Sequence, residues 1–163
     1  MSETETSLER TAAVQALTDL VVATFALNGR FLEAGDALAR PVGLTAAWWQ
    51  VLGAVLREPR TVSEIARHMG ITRQSVQRIA DVLVDREIAE YVDNPAHRTA
   101  RLLQPLPRGR RAIEALVDEQ TAWAKRVLGA ADVDVDELRT VLDVVTRLTA
   151  SLLATGSAAC PAA

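Results

Sequence analysis

Apolar side chains recur every three or four residues along most of this chain, the period that gathers them on one face of a helix. Between Thr61 and Asp85 the pattern divides into two short helices. Thr61 and Glu64 stand three apart, the spacing of a reciprocal capping box, and Ile65, Ala66 and Met69 form the apolar stripe behind them. Gly70 then supplies the backbone freedom that a sharp turn after a helix end requires. Thr72 can cap a second helix, whose Val76, Ile79, Ala80, Leu83 and Val84 fall at i, i+3, i+4, i+7 and i+8. Two capped helices around a glycine turn read as a helix-turn-helix.

At about 100° per residue, the exposed face of the second helix centres on Gln74 and Arg78. Ser75 and Gln77 lie on its shoulders, with Thr72 and Arg73 at its N-terminal tip. Glutamine can pair with adenine and arginine with guanine in the major groove, while Ser and Thr reach bases or phosphates. Asp81 and Asp85 turn the same face acidic further on, so only the first two turns suit an approach to DNA. A solvated face of an ordinary helical domain shows the same period, and these residues alone leave that alternative open.

After Ile88 the period changes. Ala89–Val92 and Ala100–Leu103 read as two strands of a β-hairpin, separated by Asp93-Asn94-Pro95-Ala96-His97-Arg98-Thr99. That segment carries an Asn-Pro turn signal, and its proline lacks the donor a ladder needs. His97 and Arg98 stand at the hairpin tip and Arg101 at its base. A helix-turn-helix followed by such a hairpin is a winged helix, and a narrow basic tip suits the minor groove or its phosphates. The alternative for Arg98 is a loop arginine that keeps the hairpin soluble.

The flanks carry stripes with no evident cover. Leu138, Val141, Val145, Leu148 and Leu152 follow spacings of 3, 4, 3 and 4, started by an Asp134-x-x-Glu137 cap and stopped at Gly156. A helix over roughly Leu8–Leu38 offers Leu17, Leu20, Val21, Phe25 and Leu32, and one from about Arg108 to Leu128 offers Ile113, Leu116, Val117 and Leu128. Three long helices outside a small winged helix predict a two-fold homodimer rather than an extended monomer or a self-contained bundle.

Charge sharpens the division. The chain has 18 basic and 21 acidic residues, a net of -3. Residues 57–111 nevertheless carry 11 Arg against 7 Asp or Glu, a local net of +4, while both flanks are acidic. A local positive surface is what phosphate contacts need, and it predicts binding that weakens with salt. The sequence offers no nucleophile elbow, phosphate loop or zinc-protease motif, so no catalytic residue is assigned and no enzyme is expected. His68 and His97 lack metal-ligand spacing, so neither a metal nor another cofactor is expected. Cys160 stands alone in a tail of small residues. No apolar run of about 18 residues is expected, nor a signal peptide, which points to a cytoplasmic protein without membrane contact.

Gly43-Leu44-Thr45, the Thr61–Glu87 unit, Asn94-Pro95-Ala96-His97-Arg98 and Pro107-Arg108-Gly109 together resemble the MarR family of bacterial transcriptional regulators, over about residues 8–155. The resemblance implies a mainly α fold, a winged helix-turn-helix with long N- and C-terminal dimerisation helices. Its divisions are a disordered N-terminus (1–7), a dimerisation helix (8–42), the DNA-binding region (43–107), C-terminal dimerisation helices (108–156) and a flexible tail (157–163). It implies a dimer on a palindromic site in double-stranded DNA, a repressor released by a small aromatic or acidic effector. The effector cleft would involve Phe25, Phe31, Trp48 and Trp49, with Arg30 as an acid anchor; core packing is the competing role for the aromatics. The chain departs from the family pattern in the wing, where His97-Arg98-Thr99 replaces Asp-Arg-Arg, and at Pro105-Leu106, which replaces Leu-Thr and removes a hydroxyl cap. A winged-helix interaction module that dimerises without reading sequence is the other functional class left open.

Overall fold

The computed structural model describes the backbone of residues 3–156 and the side chains of residues 10–155. Among the described residues, seven α-helices and three strands follow in the order α1 (Glu3–Ala39), α2 (Ala46–Val55), β1 (Arg60–Thr61), α3 (Val62–Met69), α4 (Arg73–Asp85), β2 (Ala89–Val92), β3 (Leu102–Pro105), α5 (Pro107–Glu114), α6 (Val117–Ala131) and α7 (Val135–Gly156). They form two units, divided after Asp118.

In the first unit α1 runs from Glu3, so the residues expected to be disordered before Leu8 are helical where described. It ends in a single 3-10 turn, Arg40–Val42, that contains Pro41 and closes on Gly43 at φ 75°. Only glycine adopts that left-handed backbone without a steric penalty. The turn delivers α2 onto α1: Asp36 Oδ1 accepts from the Ala46 N–H at 2.6 Å, and Thr45 Oγ1 accepts from the Trp48 N–H at 3.2 Å. Gly35 permits the close approach, since a Cβ there would lie 3.1 Å from the Ala46 Cβ.

The helix-turn-helix follows the sequence closely. Thr61 Oγ1 accepts from the Glu64 N–H at 3.2 Å, and Glu64 Oε2 accepts from the Thr61 N–H at 2.8 Å, the reciprocal box that starts α3. Gly70 ends α3 at φ 66° and Thr72 caps α4. Less legible is the end of α4, where Glu87 takes a left-handed φ of 56° so that its N–H reaches Val84 O and the Ile88 N–H reaches Leu83 O. This is the six-to-one and five-to-two bonding of a Schellman end, built without glycine.

The hairpin expected from the sequence is one part of a three-stranded sheet of order β1-β3-β2. β2 has its expected bounds. β3 starts two residues later than expected and runs through Pro105, which faces Ala89 at the end of the ladder, where a missing N–H is tolerated. β1 was not expected at all; its Arg60 and Thr61 pair with Leu103 and Leu102. Two residues are too few to show a period.

Leu52, Ile65, Leu83 and Leu103 are fully buried together with Val51, Val55 and Val76, joining α2, α3, α4 and the sheet in one core. Each such side chain contributes about 1.5–3 kcal/mol by leaving water. The helix expected from Arg108 to Leu128 is instead two, broken at Ala115 and Leu116. Ile113 and Leu116, assigned to the outer stripe by the sequence, are buried in this core, and only Val117 and Leu128 remain exposed. The reason lies in Gly109, where a Cβ would collide with Ile88 O. That contact seats α5 against the start of β2, and the chain must turn before continuing as α6. As the Leu106 substitution anticipates, α5 begins without a side-chain cap.

α1 also corrects the expectation that no run resembles a membrane span. Arg10–Val42 holds an 18-residue window with mean hydropathy 1.3, sufficient by length and composition alone to cross a membrane. Between Arg10 and Arg30 its one charged residue is Asp19, which accepts from Gln15 Nε2 at 3.0 Å, and Thr18 and Thr24 bond to carbonyls one turn back. Intermingled alanines and threonines, which a search for unbroken apolar runs passes over, account for the window.

The second unit consists of α6 and α7. Asp134 Oδ1 accepts from the Glu137 N–H and Glu137 Oε2 from the Asp134 N–H, both at 2.9 Å, so α7 starts at the expected box. Leu138, Val141, Val145 and Leu152 are exposed along it, as is Leu142. Cys160 lies outside the described residues.

Candidate nucleic-acid interface

Thr72 builds the tip of α4. Its Oγ1 accepts from the Ser75 N–H at 3.1 Å and lies 2.8 Å from Ser75 Oγ, so both hydroxyls serve the cap. Behind that cap, Arg73, Gln74 and Arg78 are exposed and form no side-chain hydrogen bond or ion pair among the described residues. With Gln77 and Asp81 they line an open concave surface of about 610 Å³. The helix N-terminus adds partial positive charge to the side of α4 on which these cations stand.

Gln77 is placed differently from its neighbours. It is half-buried, and its Nε2 donates to Asp81 Oδ1 and to Tyr91 Oη, both at 2.8 Å. Tyr91, on β2, donates its own proton to Asp81 Oδ1 at 3.0 Å. The wing is thus tied to the recognition helix by a closed triangle of side chains. Burial, and then the Asp81 carboxylate, push the Tyr91 phenol up to about 12, so it stays protonated and remains a donor. Sequence reasoning missed Tyr91, the single tyrosine of the chain. The available signal was its place on the wing strand next to a helix rich in amides and acids.

Arg101 sits where the hairpin base was expected, but it is a brace: its Nη2 donates to Tyr91 O and its guanidinium lies 5.5 Å from the centre of the Tyr91 ring. His97 and Arg98 are exposed at the wing tip. Asn94 Oδ1 accepts from the Ala96 N–H at 3.0 Å and Asn94 O from the His97 N–H at 3.2 Å, which turns the chain at the expected Asn-Pro step.

The local charge also divides. Arg60 pairs with Glu58 at 2.8 Å and Arg86 lies 4.8 Å over the Trp48 ring. Arg108 and Arg110 donate to the carbonyls of Arg86 and Leu56 at 3.1 Å. Together with Arg101 these cations hold the fold, while Arg73, Arg78 and Arg98 stay uncommitted at the α4 and wing surface.

The five effector candidates are not gathered into one site by the chain. Phe25 is 73% and Phe31 51% exposed on α1, and Arg30 is paired with Glu33 at 2.8 Å. Trp48 and Trp49 are both half-buried against the winged-helix core. A concave site of about 390 Å³ lies elsewhere, lined by Val42, Leu44, Arg86, Ile88, Arg108 and Ala112 among others.

Comparison with known proteins agrees with this geometry. A profile of the MarR family matches residues 42–98. An uncharacterized protein of Mycobacterium tuberculosis is 39% identical over 113 residues, covering 69% of this chain and 79% of its own. Among solved structures, CouR from Rhodococcus jostii, bound to p-coumaroyl-CoA, superposes with a TM-score of 0.70 at 19% identity, over 80% of this chain and 92% of its own. The M. tuberculosis regulator MOSR in complex with DNA superposes with a TM-score of 0.68 at 20% identity, over 83% and 96%. With its capped recognition helix, its three-stranded wing and these matches, the chain belongs to the MarR family of transcription regulators and has that family's winged-helix DNA-binding fold.

Proposed function

We propose that the protein is a dimeric, sequence-specific DNA-binding regulator, a cytoplasmic repressor of a palindromic promoter site that a small molecule releases. The observation that carries this reading is the row Arg73, Gln74 and Arg78, exposed and uncommitted on the first turns of a capped helix, with Arg98 on the adjoining wing. Arginine and glutamine at that place can contact base edges, and a wing arginine can contact the minor groove or phosphate. MOSR, a structural neighbour, is seen in complex with DNA.

The dimer is supported by α1 and α7, whose Val14, Val22, Phe25, Val141, Leu142 and Leu152 face solvent in a single subunit. Patches of this kind call for a partner, and a second copy is the economical one. Release by a small aromatic acid or its thioester is supported by CouR, which is bound to p-coumaroyl-CoA. The side chains offered for it are Phe25, Arg30 and Phe31 on α1 and Trp48 and Trp49 on α2, completed by the second subunit.

Selection of bound sites from random duplex DNA tests the reading. The expected outcome is a palindrome with half-sites about one helical turn, roughly 34–36 Å, apart. Gln74→Ala and Arg78→Ala should each change the preferred base at one position by about 1–3 kcal/mol, and Arg98→Ala should weaken all sites together. Affinity should fall with added salt. Selection of no site, with all three variants indistinguishable from wild type, would replace the regulator by an interaction module.

A further inference from the structure

Gln77 shares the recognition helix with Gln74, yet its amide is not free to read a base in the same way. Both hydrogens of Nε2 are engaged, one by Asp81 Oδ1 and one by Tyr91 Oη. The opposite amide orientation would set Oε1 2.8 Å from the Asp81 carboxylate oxygen, two acceptors in repulsive contact, so the chemistry of the partners fixes which end of the amide is which. Tyr91 reinforces this, because its proton goes to the same Asp81 oxygen and its Oη must therefore accept from Gln77. Among the described residues Oε1 has no hydrogen-bond partner, and no buried side-chain oxygen or nitrogen is unpartnered, so Oε1 reaches solvent. Gln77 lines the same open surface as Arg73, Gln74 and Arg78.

We infer that Gln77 is a fixed hydrogen-bond acceptor in DNA readout, with Asp81 and Tyr91 as positioning residues that hold its carbonyl outward. The inference rests on the DNA-binding reading above and deepens it. A glutamine with a free amide accepts and donates at once and so selects adenine through N6 and N7; one whose donors are spent can only accept. Its target is an exocyclic amino group in the major groove, the N6 of adenine or the N4 of cytosine. Adenine and cytosine should be accepted alike at the contacted position, and guanine and thymine, which offer a carbonyl oxygen there, rejected. The wing strand thereby sets the specificity of a helix residue without itself touching the base.

Two measurements on the full chain test this. In the first, sites are selected from random duplex DNA with wild type, Gln77→Met and Tyr91→Phe. Wild type should show one position per half-site that takes adenine or cytosine over guanine or thymine by about tenfold, and Gln77→Met should erase that preference. Tyr91→Phe frees one amide hydrogen, so adenine should now be chosen over cytosine at the same position. A wild-type site followed by an unchanged Gln77→Met profile, or a wild type that already separates adenine from cytosine there, overturns the inference while leaving the DNA reading in place. In the second, the Gln77 side-chain amide protons are followed by NMR without DNA. Two slowly exchanging protons in wild type, one of them released in Tyr91→Phe, support the locked amide; fast exchange of both in wild type overturns it. Failure to select any site with the amide locked overturns the readout through the DNA reading, a result distinct from a free amide.

Discussion

In the winged-helix part of the chain Leu83 is fully buried and the apolar stripes of α3 and α4 pack into the core. On α7 Leu142 is 65% exposed, although its helix begins with an equally complete capping box. Both regions obey the same period and the same end chemistry. They differ in what covers the stripe, which periodicity does not encode. The first region is held by its own core; the apolar residues of the second, like those of the outer part of α1, are exposed in the single chain, and the proposed dimer is what would cover them.

The strongest way to break this comparison is a pair of truncations. Leu83→Ala should lower stability by about 2–5 kcal/mol, because a fully buried leucine leaves both lost transfer energy and a cavity. Its unfolding midpoint should fall at every protein concentration. Leu142→Ala should instead lower the midpoint in a concentration-dependent way, as expected where folding is coupled to association. Thermal melts over a hundredfold range of concentration separate the two, and equal behaviour of both variants would abolish the distinction. A smaller effect is expected for Gly109→Ala, which needs α5 to move off Ile88 O; overpacking of this kind costs about 1–3 kcal/mol, read as a lower denaturant midpoint with no change in the state of association.

The smallest effect tests the helix ends shared by the two regions. Bonds from the Thr61 N–H and hydroxyl hold the Glu64 carboxyl below its ordinary value of 4.5. A depressed acid contributes stability above its unfolded value and loses it as pH falls through the folded value, so the cap should weaken only in acid. Because Glu64 is exposed, water screens these bonds and the loss should stay below about 1 kcal/mol, and Glu64→Gln should flatten the stability profile below pH 4.5 relative to wild type.

Local chemistry made much of this molecule readable. Thr61, Glu64, Gly70 and Thr72 fix the helix-turn-helix through contacts within four residues, and Asp134 with Glu137 does the same for α7. What escaped depends on distant partners. β1 exists because Leu102 and Leu103 arrive beside it, and α5 ends early because Gly109 and Ile113 are captured by the core. The proposed reading face could be named from the sequence as a set of residue types, but not the division between uncommitted and bonded side chains that the structure shows. The place of Tyr91 on the wing strand hinted at a partner, but no local pattern singles out Gln77 and Arg101 as the two it engages. The effector candidates were readable only as aromatics, and Phe25 and Phe31 are both more than half exposed in the single chain.

The order of the sheet bears on how the molecule comes into being. β3 lies between β1 and β2 yet is the last of the three to be synthesised. Until it emerges neither outer strand has a partner, whereas α3 and α4 already have each other across a short turn. Non-local pairing of this kind is slow relative to neighbouring-helix contacts. α3 and α4 can therefore pair before the sheet closes, and a nascent chain that ends short of Leu102 carries Arg73 and Arg78 without β3 to hold Tyr91 beside Gln77.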